Sequence, residues 1–220
     1  MSLMERKLVI FDLDGTLIDT IDDLGTAVNY ALSLKGLPVH PIEAYRLMVG
    51  GGVRNLLYKA MPESLKESDR ALEELLGIFM DYYYAHIADL SRPYPGIESV
   101  LSSLSEEGRL LAVASNKFQS GVDKLISHFF PGIPFVSVRG GRPDCPLKPD
   151  PRVVSDIMEK ASASPSNTLM VGDSGTDIST AEAAGIRSVA VSWGFRPECV
   201  AKADYKADDA NQLRDLLLSL

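Results

Sequence analysis

Five short apolar runs recur along the chain, and none alternates clearly between inward and outward residues. They are Leu8 to Phe11, Leu110 to Ala114, Phe135 to Val138, Thr168 to Val171 and Ser188 to Val191. Successive side chains of a strand point to opposite faces, so a strand with one wet face must alternate. Runs that are apolar throughout, of strand length and mostly rich in Val, Leu and Ile, belong to strands buried on both faces of a parallel sheet. Helical patterns lie between them: 97–107 ending at Gly108, 122–130, 153–161, and 176–184 before Gly185. In "KPDPRVV" the spacing predicts an N-cap at Asp150 and a proline at the first helical position, Pro151. The fold class that follows is α/β, a Rossmann-like parallel sheet with helices on both faces.

One segment breaks the alternation. From Asp19 to Arg92 the patterns are helical only. Leu24, Ala27, Val28, Ala31 and Leu32 share one helical face, and Gly36 stops them. Further helices are expected at 42–48, 53–60 and 68–89. Connections in α/β units run about 2–6 residues, so a stretch this long must fold on its own account. The expected organisation is a catalytic core of residues 1–18 and 93–220 and an inserted all-helical cap domain, 19–92. The proline-stiffened "SRPYPG", 91–96, is the expected return linker.

Composition mainly excludes. The net charge is −8 and the pI about 4.9, with no basic block, which argues against a nucleic-acid partner. A small phosphorylated metabolite remains admissible, because a few local cations suffice to bind one. No apolar run approaches the roughly 18 residues of a membrane span, and the first run is too short and early for a secretory signal. Cys145 and Cys199 are far apart and in no CxxC pattern, so a reducing, cytoplasmic setting is expected.

The ends of the apolar runs are what a core cannot use. "KLVIFDLDGT" finishes in Asp12 and Asp14, which share a face of the strand while Leu13 turns inward. Gly15 permits close approach and Thr16 offers a hydroxyl. "DG" is also a hairpin signal, but the residues after it have helical periodicity. "LLAVASNK" ends in Ser115, Asn116 and Lys117; "TLMVGDSGTD" ends in Asp173 with Asp177 at a helix start; Lys148 lies in "PLKPDP". Ligands of open α/β sheets bind beyond the carboxyl ends of the strands. His40, His86 and His128 show neither metal-ligand spacing nor a serine partner, which leaves little support for zinc or serine-hydrolase chemistry.

In "DLDGT", "SN", the lysine before "PDP" and "GDSGTD" the chain resembles the haloacid dehalogenase superfamily of phosphotransferases. The helical insert is similar to that superfamily's cap of the first type. "MVGGGVRNLL", "YPG" and "VSWGF" are similar to the phosphoglycolate phosphatase subgroup. The resemblance implies a Mg²⁺-dependent phosphatase acting through an aspartyl-phosphate. Asp12 would be the nucleophile, an ordinary carboxylate ionised at neutral pH, and Asp14 the general acid and base. Mg²⁺ would be held by Asp12, Asp173 and the Asp14 backbone carbonyl, with Asp177 holding its waters. Ser115 and Asn116 would donate to phosphate oxygens and Lys148 would offset the charge. The superfamily's dehalogenases lack an acid at the position of Asp14. A sugar phosphomutase, a pyrophosphatase or a catalytically silent binding module remain as alternatives. In the cap, Gly51, Gly52 and Arg54 are the expected substrate contacts, with Arg54 facing the carboxylate of phosphoglycolate. The chain is expected to act as a monomer or homodimer.

Overall fold

The computed structural model describes residues 7–196 and 201–220. Cys199 lies outside the described residues, and Cys145 is a free, partly buried thiol. Six parallel strands form the central sheet: β1 (Leu8–Phe11), β4 (Leu110–Phe118), β5 (Phe135–Gly141), β6 (Thr168–Gly172), β7 (Arg187–Val191) and β8 (Tyr205–Ala207). Their spatial order is β5-β4-β1-β6-β7-β8. The chain builds outward from β1 on one side, then crosses to build outward on the other, so β1 lies at the topological switch point.

The unalternating runs are explained by this placement. All four residues of β1 are buried, and they divide between two cores. Val9 and Phe11 face the larger core, with α4 (Ile97–Glu106), α5 (Gln119–Phe129) and α8 (Ala210–Ser219). Leu8 and Ile10 face the other, with Val153, Val154, Ile157 and Met158 of α6 (Arg152–Ala161) and Ala181 of α7 (Gly175–Ala184). Burial of each such side chain is worth roughly 1.5–3 kcal/mol relative to exposure. A polar residue at either parity would therefore be costly.

Several expectations need adjusting. Helix α6 begins one residue later than the proline pattern suggests, with Pro151 flanking it. Asp150 still accepts the Arg152 N–H at 2.9 Å, so it does an N-cap's work. The segment expected as a helix at 42–48 is a 3₁₀ helix, Ile42–Leu47. Strand β4 runs past Ala114 to Phe118, and its register with β5 breaks between Ala114 and Phe118. That irregularity re-aims Ser115, Asn116 and Lys117 at the strand's carboxyl end, as bulges beside active sites do.

Residues 19–92 hold α1 (Ile21–Leu34), the 3₁₀ helix, α2 (Gly52–Ala60) and α3 (Asp69–His86). They start and finish in a two-stranded antiparallel ribbon, β2 (Ile18–Asp19) and β3 (Arg92–Pro93), pairing Ile18 with Pro93 and Asp19 with Arg92. Above the ribbon, the buried Asp23 carboxylate accepts the N–H groups of Leu90 and Ser91 and the Ser91 hydroxyl at 2.7–3.1 Å. Replacement by alanine takes this acceptor from the buried Ser91 N–H and hydroxyl and from the Leu90 N–H. Asp23→Ala is expected to cost about 2–4 kcal/mol of stability, read as a lower urea midpoint at unchanged m-value.

Candidate active site

The carboxyl ends of β1, β4 and β6 open into a single cavity of about 60 Å³ lined from below by Asp12, Asp14, Ser115, Asn116, Lys117, Lys148, Asp173 and Asp177. Its upper wall comes from residues 19–92 and is mainly apolar: Leu24, Val49, Val53, Leu56 and Phe79, with Gly50 and Gly52, joined by Arg46 and Tyr83.

Carboxylate oxygens of Asp12, Asp173 and Asp177 lie within 4.8 Å of one another. Lys148 makes this tolerable. Its ammonium donates to Asp12 Oδ1 at 2.9 Å, Asp177 Oδ1 at 2.7 Å and the Ala114 carbonyl at 2.7 Å, which uses all three protons. Burial pulls this ammonium down, but the charges of Asp12 and Asp177 outweigh that and hold it above the usual lysine range. Burial pushes Asp12 up to about 8, aided by Asp177 and Asp173 and opposed by Lys148. Asp173 is pushed up to about 7 by burial and Asp177, opposed by the Phe195 N–H and Lys148. The expectation of an ordinary, freely ionised Asp12 is therefore corrected for the cation-free protein.

Each carboxylate is aimed by its own neighbours. Asp173 accepts the Phe195 N–H at 2.7 Å and the Thr16 hydroxyl at 3.3 Å. Gly15 (φ +88°) and Gly194 press against it: a Cβ on Gly15 would stand 2.5 Å from Asp173 Oδ2. Asp177 accepts from the Ser174 hydroxyl and N–H at the start of α7 while its other oxygen meets Lys148. Hard oxygen donors, crowded and short of positive charge, with glycines leaving room beside them, fit a small divalent cation such as Mg²⁺.

Other expected residues sit differently. The Asp14 carboxylate is not in the acidic group. It is held by Lys117 Nζ at 2.9 and 3.2 Å and the Thr20 hydroxyl at 2.6 Å. The Asn116 side chain is spent on main chain: its amide donates to the carbonyls of Gly50 and Lys148, and its oxygen accepts the Lys148 N–H at 2.7 Å. It is a clasp, and the side-chain donation to phosphate expected of it is already used. Ser115 borders the cavity, its oxygen accepting the Lys117 N–H at 3.2 Å. Thr16 is fully buried behind Asp173 and does not line the cavity. Gly52 lines it but Gly51 does not. Arg54 is half exposed, paired with Glu73, and does not line the cavity.

The sequence reading assigned no role to three cations that do line the cavity, Arg46, Lys117 and Arg196. Lys117 was visible at the end of its strand. Arg46 and Arg196 carry no local signal: Arg46 comes from the 3₁₀ helix above the sheet, and Arg196 follows β7 and reaches across to the carbonyls of Leu47 and Val49.

Comparisons with known proteins agree with this arrangement. Residues 9–191 match the family described as haloacid dehalogenase-like hydrolase. A phosphoglycolate phosphatase of Mesorhizobium japonicum is 37% identical over 193 residues, 87% of this chain and 85% of that one. One from Vibrio vulnificus is 34% identical over 225 residues, 99% of each chain. Among solved structures, a Haemophilus somnus protein described as a predicted phosphoglycolate phosphatase superposes with a TM-score of 0.89 at 29% identity, covering 98% of this chain and 100% of that one. With the matched region spanning most of the sheet and every carboxylate at its end, the chain belongs to the haloacid dehalogenase-like hydrolase family.

Proposed function

We propose that this chain is a Mg²⁺-dependent phosphatase that hydrolyses a small phosphate monoester, phosphoglycolate, through a phosphorylated Asp12. The observation that carries the reading is the position of Asp12: on the cavity floor, touching Lys148 and grouped with Asp173 and Asp177. The names of the curated relatives support the choice of ester.

Residues 1–18 and 93–220 would serve as the catalytic core, and 19–92 as a cap whose largely apolar wall shields the reaction from bulk water. When bound, Mg²⁺ held by Asp12 and Asp173, with the Asp14 backbone carbonyl and Asp177 beside them, would polarise the phosphoryl oxygens and offset their charge. An Asp12 oxygen attacks phosphorus as the bond to the ester oxygen breaks. Asp14 gives that oxygen a proton, then takes one from the water that attacks phosphorus and releases Asp12. Lys148 and the Ser115 hydroxyl stabilise the charge on the transferring group. The small cavity favours a metabolite over a macromolecule, and among the described residues no helix is long and apolar enough to cross a membrane. A cytoplasmic setting accords with such a substrate.

Asp12→Asn removes the anionic nucleophile at nearly constant volume. Phosphate release should fall at least about 10³-fold while the circular dichroism spectrum is retained. Near-normal release from the folded variant would exclude Asp12 as nucleophile.

The shifted carboxylates give a second test. The folded, cation-free chain holds protons on Asp12 (about 8) and Asp173 (about 7) more tightly than an unfolded chain, where they titrate near 3.8. Stability must therefore fall as pH rises from about 4 toward about 8. In chelator, the melting temperature should be lower at pH 8 than at pH 5.5. Added Mg²⁺ should raise it more at pH 8. A Mg²⁺ effect that is equal at both pH values would count against these ligands.

A further inference from the structure

Four cations and four carboxylates line the cavity: Arg46, Lys117, Lys148 and Arg196 against Asp12, Asp14, Asp173 and Asp177. A divalent cation leaves an excess of positive charge that a phosphate dianion cancels. A second anion on the same substrate must then be received by a cation that already has a partner. Lys148 is committed to Asp12 and Asp177. Arg46 leans on Glu43 at 2.7 Å and lies over the Phe195 ring, and Arg196 donates to the carbonyls of Leu47 and Val49.

Lys117 differs in burial and in what it holds. Its side chain is 3% exposed, against 28% for Arg46. Its three protons go to both oxygens of Asp14 and, at 2.6 Å, to the hydroxyl of Tyr83 on α3. Asp14, the residue that must serve the leaving oxygen, is thus tied to a buried ammonium. In phosphoglycolate the carboxylate carbon is two bonds from that same ester oxygen. Substrate carboxylate and Asp14 therefore meet in one small region, beside one lysine.

We propose that Lys117 recognises the substrate's carboxylate and, by exchanging Asp14 for it, frees Asp14 to act only when that carboxylate is present. The inference rests on the phosphatase reading above. The exchange leaves no unpaired charge on the lysine, since one carboxylate replaces another beside the same ammonium, and it avoids the penalty of a buried lone ion. A substrate ending in a methyl group offers no replacement, and Asp14 stays held. Selectivity then resides in turnover as well as in binding. Tyr83 keeps the ammonium in place during the exchange and makes it part of the cap's closure.

The test compares phosphoglycolate with ethyl phosphate, which has a methyl group where phosphoglycolate has its carboxylate, in the Mg²⁺-loaded full chain. The readout is the ratio of the two kcat/KM values. In Lys117→Met that ratio should fall by about 10- to 150-fold, the range for one charge-assisted contact. A purely structural role would lower both values alike and leave the ratio as it was; that result in a folded variant overturns the proposal. Tyr83→Phe, which keeps the ring, should shift the ratio in the same direction by a smaller factor. If Lys117→Met does not fold, an unchanged ratio in Tyr83→Phe overturns it instead. Wild-type protein that hydrolyses both esters equally well also overturns it. Wild-type protein that hydrolyses neither refutes the phosphatase reading itself, which separates the two failures.

Discussion

At the end of the sheet, one ammonium holds together carboxylates that would otherwise repel one another. Lys148 meets Asp12, Asp177 and the Ala114 carbonyl with its three protons. Its main chain is gripped in turn by Asn116, which bonds both its N–H and its carbonyl. A buried charge cluster of this kind is weak support for stability, because desolvation offsets much of the attraction. Its value is positional. Acidic side chains from β1 and the start of α7 are drawn to one point, and the net shortage of positive charge there makes a site for a cation.

The cavity joins two unlike surfaces. Below lie the charged ends of the strands; above lie Leu24, Val53, Leu56 and Phe79. The apolar wall does more than cover. Excluding water lowers the local dielectric and strengthens every charge interaction beneath it. The clasp from Asn116 to Gly50 and the contacts from Arg196 to Leu47 and Val49 hold the two surfaces together with main-chain acceptors, so the seal does not depend on which side chains residues 47–50 carry.

What could be read from the sequence was local. Four of the six sheet strands, β1, β4, β6 and β7, announce themselves because burial on both faces leaves a largely apolar run; β5, at the sheet edge and only partly buried, shows the same composition, and Asp12 and Asp173 stand out as charges after such runs. Strand β8 does not, since Tyr205–Ala207 is three residues long at the sheet edge, with only Ala207 fully buried. The ribbon of β2 and β3 joins positions far apart in the chain, and no window of sequence contains both. Which arginine of residues 19–92 lines the cavity was hidden for a related reason. Arg54 and Arg46 are equally plausible as text; which one faces the cavity depends on how α2 and the 3₁₀ helix are rotated against the sheet. Asn116 shows the reverse case. Its position was right, but its amide serves the main chain of Gly50 and Lys148, a partnership visible only once the loops are brought together.

The two-residue ribbon has a consequence for how such chains change over time. Because Ile18 pairs with Pro93 and Asp19 with Arg92, the chain leaves the sheet and comes back through adjacent strands. The sheet's own register, from Leu8↔Leu110 onward, makes no reference to what lies between. Residues 19–92 are in that sense a cassette on a fixed socket. An ancestor could lengthen, shorten or replace it without re-pairing a single strand of the sheet, so substrate range could diversify while the chemistry at Asp12 stayed where it was.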